Sequence, residues 1–238
     1  MTATIDPAIL EAIEAAPVPY DFFREVHKGL RNALFDLTVA CGAADFDDPL
    51  TCDRIAARVH GLVSLFHSHH GHEDDFIKPL IQAADPRLDA IVDSGHAEID
   101  SDLLEIEAMA DGLVAASGPV AVAAGLDLYR RLALFTASYL AHMAFEEGAV
   151  MERLRTSLST AELFEVDMAL RGSIPLDKLL AFAAIMLPAM NTEERTAMLG
   201  GLRAGAPDEV FEQVRAVAVR CLEPQDYGTI ADRLGLVG

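Results

Sequence analysis

The sequence predicts an all-α protein, an up-down four-helix bundle with an additional helical region at its C-terminus. Of its 238 residues, 52% are hydrophobic, Ala and Leu are abundant, and few β-branched residues alternate with polar ones as they do in strands. Proline and capping residues divide the first part of the chain into four long segments. A pattern of histidine and glutamate also recurs on two pairs of these segments.

The four bundle helices are placed by their start and stop signals. Asp48-Pro49 and Asp85-Pro86 each supply a capping side chain and a first-turn proline, and Gly118-Pro119 precedes the last long segment. The helices are expected at about residues 21–42, 48–79, 85–112 and 119–158. Three short connections between four helices imply an up-down bundle.

Shorter helices are expected on both sides of the bundle. A capping box, Ser159-Thr-Ala-Glu162, opens a helix after it, and Asn191, Pro207 and Pro224 mark three further starts. Such short helices predict a compact extension that docks on the bundle or forms a dimer surface. The expected organisation is an N-terminal segment 1–19, the bundle 20–158 and the extension 159–238.

One arrangement of candidate metal ligands occurs twice: a lone histidine is followed about forty residues later by His-x-x-x-Glu. Residues four apart share one face of an α-helix, so the His and Glu of each motif can bind the same metal ions. Burying imidazoles and carboxylates between helices is costly unless something compensates them. The pattern therefore predicts two metal ions held by His27, His69, Glu73, His96, His142 and Glu146.

These six residues resemble the ligand pattern of hemerythrin-like proteins of the HHE cation-binding type, H…HxxxE…H…HxxxE, over about residues 20–157. The resemblance implies a four-helix bundle around a non-haem centre of two iron ions with an oxo or hydroxo bridge. It implies further that Glu73 and Glu146 bridge the irons. His27 and His69 would then serve one iron, and His96 and His142 the other.

Two positions depart from the oxygen-carrying hemerythrins of marine invertebrates. Those proteins have a second His one turn after the third-helix ligand, where this chain has Asp100. Their fourth-helix carboxylate follows its His by five residues, which here would select Glu147. With fewer imidazoles, one iron keeps a water or an open position, which suits peroxide, oxygen or nitric oxide chemistry better than reversible oxygen carriage.

The segment 67–72 contains four histidines, and it leaves the identity of the second-helix ligand open. His69 is preferred because it alone has Glu four residues later, whereas His70 pairs with Asp74 at the same spacing. His70 is therefore both the competing ligand and a candidate additional one. Surface or supporting positions are expected for His60, His67 and His72.

Aromatic residues lie about one helical turn from the candidate ligands. The phenylalanines among them are interpreted as bundle core. Tyr139 is the candidate catalytic residue, because a phenol one turn from a ligand can hydrogen-bond a bound peroxide or supply a proton.

The composition excludes several partners. With 18 Lys and Arg against 38 acidic residues, a net charge of −20 argues against nucleic acid and anionic membranes. The longest apolar run, residues 179–190, contains Pro188 and is too short to span a bilayer. The N-terminus lacks the layout of a signal peptide, so a cytoplasmic location is expected. Widely spaced Cys41, Cys52 and Cys221 indicate buried thiols rather than disulfides or a zinc site.

Two functions of different classes fit these observations. The first is a binding or sensing protein whose di-iron site takes oxygen, nitric oxide or peroxide. The second is a di-iron enzyme that reduces peroxide or activates oxygen. Iron storage is a weaker third hypothesis. A homodimer through the C-terminal helices is one expected assembly.

Overall fold

The computed structural model describes residues 7–16 and 18–236, and all regular secondary structure in these ranges is helical. This confirms the predicted fold class. The helices are α1 (Pro7–Glu14), α2 (Arg24–Gly42), α3 (Pro49–His72), α4 (Lys78–Ala84), α5 (Pro86–Ala115), α6 (Pro119–Phe145), α7 (Met151–Ser157), α8 (Thr160–Ser173), α9 (Leu176–Ala189), α10 (Thr192–Gly205), α11 (Asp208–Cys221) and α12 (Pro224–Leu234). Two π-helical turns, Glu73–Ile77 and Glu146–Val150, join α3 to α4 and α6 to α7.

The predicted caps account for the helix starts. The side chain of Asp48 accepts a hydrogen bond from the backbone N–H of Leu50, and that of Asp85 accepts one from Arg87. Each bond satisfies an N–H group that has no partner inside the helix. The capping box at Ser159 is also present, because the Glu162 carboxylate accepts from the Ser159 N–H at 2.8 Å. Helix α9, by contrast, begins after Pro175 and was not predicted as a separate helix.

The sequence analysis expected the second long helix to end near Pro79, but the helical segment continues past this residue. The N–H of Lys78 donates to the carbonyl of Glu73, five residues back, so the chain forms a π turn before α4 begins. Pro79 then lies in the first turn of α4, where its missing N–H costs no intrahelical hydrogen bond. The helical run therefore continues to Ala84.

Contacts divide the chain into two compact units. The bundle unit runs as far as Phe23 and resumes from Leu34 to Ser173, and the C-terminal unit contains Arg24–Ala33 and continues from Ile174. Helix α2 is thus shared, since its first ten residues group with the C-terminal helices. The domain limits drawn from the sequence, 1–19, 20–158 and 159–238, stay a prediction.

In the bundle unit, α5 packs against both α3 and α6. Phe66, Leu103 and Phe135 are almost completely buried among these three helices. A second apolar cluster contains Ile77 of the first π turn and Val150 of the second. Because one cluster contains both residues, the two π turns face the same part of the core.

The C-terminal unit has a core of its own. The buried side chains that form it are Ala183, Leu187, Leu199, Val214, Val217, Ala218, Leu222 and Ile230. Beside this core, the buried Arg195 donates to the carbonyls of Leu187 and Pro188 and pairs with Asp226. The guanidinium thus satisfies carbonyl oxygens at the end of α9, close to its internal proline.

Two of the three cysteines are buried, as the sequence analysis expected for all three. Cys41 and Cys52 are buried free thiols, and Cys221 is half-buried. Burial raises the pKa of the Cys41 thiol to about 11, and the nearby Arg58 offsets only part of that shift.

Among the described residues, no single helix combines the length and the apolarity that a membrane crossing requires, although one bent pair of helices meets the criterion when its members are joined.

Gly125 of α6 allows the close packing of Phe46. An ideal Cβ at Gly125 would overlap the ring of Phe46, so Gly125→Ala must displace the ring. We expect a loss of about 1–3 kcal/mol in the free energy of unfolding, measured by urea denaturation. Gly61→Ala in α3 is the control, because nothing lies within 4 Å of its Cβ position. That change should stabilise the protein by about 0.4–1 kcal/mol, and equal effects of the two substitutions would contradict this packing argument.

Candidate metal centre

The two His-x-x-x-Glu motifs have matching geometry. His69 Nε2 lies 3.1 Å from Glu73 Oε1, and His142 Nε2 lies 3.1 Å from Glu146 Oε1. Both carboxylates are buried, with side chains 6% and 3% exposed. In each motif the glutamate is the first residue of a π turn. The duplication seen in the sequence is therefore a duplication of local structure.

His96 of α5 connects the two motifs. Its Nε2 atom lies 3.4 Å from Glu73 Oε2 and 3.5 Å from Glu146 Oε1. Since Glu73 follows α3 and Glu146 follows α6, one imidazole contacts carboxylates from both sides of α5. Three segments far apart in sequence thus meet at one buried point.

Two groups of side chains in the bundle unit are close enough to hold a cation. Glu73, His96 and Glu146 form one, and His70, His96 and His142 form the other; within each group the possible ligand atoms lie within 4.8 Å of one another. The ring nitrogens that face these groups, His70 Nδ1, His96 Nε2 and His142 Nε2, are buried and make no well-formed hydrogen bond. Such nitrogen and carboxylate ligands are suitable for iron, so the residues present fit a cation of this kind.

His70 lies inside the site together with His69. Its ring stacks on that of His96, with centroids 4.4 Å apart and an angle of 12° between the planes. Its Nε2 atom lies 3.2 Å from the hydroxyl oxygen of Tyr139. The sequence analysis had treated His70 as a competitor of His69 or as an additional ligand; in the structure both rings are buried, His69 beside Glu73 and His70 beside His96.

Acidic residues lie close to ring nitrogens of His96 and His70. Asp74 Oδ1 lies 3.2 Å from His96 Nδ1, so Asp74 contacts His96 rather than its predicted helical partner His70. Asp100 Oδ1 lies 3.6 Å from His70 Nδ1 and 3.4 Å from His67 Nδ1. A carboxylate on the far nitrogen of a metal-binding imidazole fixes the ring orientation and its tautomer.

The remaining histidines and Glu147 occupy other positions. His27 is completely buried in the first turn of α2, in the segment that groups with the C-terminal unit, and its role as a ligand stays a prediction. His60 is partly exposed and lies 3.1 Å from both Glu107 and Asp111, as expected for a surface residue. His72 is half-buried. Of the two glutamates that follow α6, Glu146 belongs to one of the two possible cation-binding groups, and Glu147 belongs to neither.

The charges at the centre are closely coupled. Burial lowers the pKa of His96, but the adjacent carboxylates of Glu146 and Glu73 outweigh it and raise the pKa to about 10. Burial lowers the pKa of His70 to about 2, so His70 is neutral. A proton on His96 therefore offsets one negative charge at this site in the metal-free chain. A bound cation can replace that proton, because a ligating imidazole must be deprotonated.

Tyr139 is fully buried, with its ring 4.4 Å from that of Phe66. Burial raises the pKa of its phenol well above 10, and the charges of Glu73 and Glu146 add to the rise. The hydroxyl group therefore stays protonated at neutral pH and can donate a hydrogen bond to His70 Nε2.

An open cleft of about 450 Å³ reaches the site beside His142. Its other lining residues are Ala90, Ile91, Ser94, Gly95, Glu98 and Phe145. An ideal Cβ at Gly95 would lie only 2.9 Å from His142 Nδ1, so a side chain at this position would displace the His142 ring.

The sequence analysis did not predict some parts of this site. The π turns were not predicted, because the sequence rules for helix caps and hydrophobic periodicity describe α-helices. The contact between Asp74 and His96 joins residues 22 positions apart on different elements, and spacing along one helix cannot reveal it.

Comparison with known proteins places the chain in a family. The family model named Hemerythrin HHE cation binding domain matches residues 18–165, a range that includes all six residues of the duplicated pattern. Neither the curated proteins nor the solved structures gave a significant match. The matched range covers more than half of the chain, and the protein therefore belongs to the hemerythrin HHE cation-binding domain family.

Proposed function

We propose that this protein is a non-haem di-iron protein that binds or senses O2, NO or peroxide in its bundle unit. The observation that carries the proposal is the position of His96, whose Nε2 lies within 3.5 Å of a buried carboxylate oxygen from each of the two motifs. The match to a cation-binding family supports the same conclusion, and so does the cluster of buried His and Glu side chains that could ligate a metal.

The proposed ligands are the six residues of the duplicated pattern, with His70 as an additional one. Glu73 and Glu146 would bridge the two ions, as the family resemblance implies. His27 and His69 would serve one ion, and His96 and His142 the other. Bound iron would supply redox chemistry and a coordination position for a small ligand.

The other residues control which ligands reach the site. The cleft beside His142 is lined partly by Ile91, Phe145 and the backbone of Gly95. Such a lining is suited to small uncharged molecules such as diatomic gases or hydrogen peroxide. Asp74 contacts Nδ1 of His96 and Tyr139 contacts Nε2 of His70, so both rings are held before a ligand arrives.

A di-iron enzyme that reduces peroxide or activates oxygen is the second candidate. The buried hydroxyl group of Tyr139 favours it, because a protonated phenol close to the centre is a potential proton source. The contact of that hydroxyl with His70 supports a second role, in which Tyr139 positions His70. A cytoplasmic location and a homodimer through the C-terminal helices stay predictions.

The first test is the metal content of the purified protein, with absorption spectra before and after addition of O2, NO or peroxide. We expect about two iron ions per chain, as in other di-iron bundles, and a near-ultraviolet band that changes with the added ligand. His69→Ala and His142→Ala should lower the iron content, while His60→Ala, a surface change on α3, should not. Absence of iron, or zinc retained in both ligand variants, would refute the proposed function.

A second prediction concerns the carboxylate that orients His96. Asp74→Asn weakens the hydrogen bond to His96 Nδ1, so we expect iron affinity to fall by about 10- to 100-fold in a chelator competition assay. Asp75→Asn is the matched control, because Asp75 is an exposed acid on the same π turn. The same affinity in both variants would show that Asp74 does not support the ligand.

Tyr139→Phe separates the two roles of the phenol. If Tyr139 positions His70, its loss should lower iron affinity about 10-fold or more, because supporting contacts have effects of that size. If it transfers protons, iron affinity should stay constant and the rate of peroxide consumption should fall by about 100-fold or more. Tyr129→Phe, on the same helix, is the control.

A further inference from the structure

The segment of α2 that carries His27 packs with the C-terminal helices. Residues Arg24–Ala33 group with the C-terminal unit, although α2 runs without a break to Gly42. His27 lies in the first turns of this helix and is completely buried. The residues that follow it in sequence, Lys28 and Gly29, both make close contacts to this unit.

Lys28 binds the start of α10. Its Nζ atom donates to both carboxylate oxygens of Glu194, at 2.6 and 2.8 Å. The Glu194 side chain is only 14% exposed, which makes this pair stronger than a typical surface ion pair. Glu194 also completes the capping box with Asn191, so it is held by its own helix. Lys28 is therefore bound to a fixed partner.

Gly29 brings α2 against α9. An ideal Cβ at Gly29 would lie 2.8 Å from Met186 Cγ, 3.0 Å from its Cα and 3.1 Å from its backbone nitrogen. Two of these atoms belong to the backbone of α9 and cannot move independently of that helix. Only glycine fits at this crossing, so the two helices meet with almost no side chain between them.

Together these contacts determine both the rotation and the axial position of the first turns of α2. The ion pair joins α2 to α10, and the glycine contact joins it to α9. A helix held at two adjacent residues cannot rotate about its axis without breaking one contact. The direction of the neighbouring His27 side chain is then set as well, because the backbone of one helical turn is rigid.

We propose that Lys28, Gly29, Met186 and Glu194 are positioning residues that hold His27 in place. This inference rests on the proposed function, in which His27 is an iron ligand. By thermodynamic linkage, iron bound through His27 also stabilises the contacts of α2 with α9 and α10.

The test compares neighbouring glutamates in the full-length protein. Glu194→Gln removes the charge that binds Lys28, but glutamine at this position still completes a capping box. Glu193→Gln is the control, because Glu193 lies one residue earlier and pairs with Arg233 instead. Lys28→Met removes the ion pair from its other side. Iron affinity is measured by chelator competition, and thermal unfolding is measured on the metal-free chains.

We expect Glu194→Gln and Lys28→Met each to weaken iron binding about 10-fold, with Glu193→Gln equal to wild type. The double variant should be no weaker than either single one, because both changes remove one interaction. Lys28→Arg, which keeps the charge, should restore most of the affinity. A purely structural role would instead lower the unfolding temperature of the metal-free chain and leave iron affinity unchanged.

The outcomes distinguish this inference from the proposed function. Wild-type protein that binds no iron would refute the proposed function. Wild-type protein that binds iron, with all the glutamate and lysine variants binding equally well, would refute the positioning role alone. If Glu194→Gln unfolds, Lys28→Met decides the question, since Lys28 takes no part in a helix cap.

Discussion

The arrangement of the bundle depends on the compensation of two buried glutamates. Glu73 and Glu146 carry negative charge into a site that is almost closed to water, and their charges must be balanced there. The imidazoles of His69, His96 and His142 are the polar groups that contact these carboxylates. Because these partners come from different helices, the balance of charge also determines which helices must lie side by side.

The two π turns give the bundle its local symmetry. Each begins at the glutamate of a His-x-x-x-Glu motif, and each contributes an apolar residue, Ile77 or Val150, to one buried cluster. A π turn is rare compared with regular α-helix and occurs frequently at functional sites. Apolar packing on one side and charge compensation on the other hold these turns in the helices.

Helix α2 contributes residues to both units. Its first ten residues group with α9 to α12, and its later residues, such as Leu37 and Cys41, are buried in the bundle unit. Since α2 runs without a break from Arg24 to Gly42, the unit boundary falls inside one helix and not in a loop.

The sequence by itself determined the helical class, most helix starts and the duplicated ligand pattern. Asp48, Asp85 and the capping box at Ser159 act within a few residues of their own positions, and a His and a Glu four residues apart share a face in any α-helix. Tertiary structure decided what depends on contacts between helices. It placed His70 beside Tyr139 and Asp74 beside His96, and it allowed the chain to pass Pro79 through a π turn. These features depend on distances across the bundle, which no local spacing in the sequence encodes.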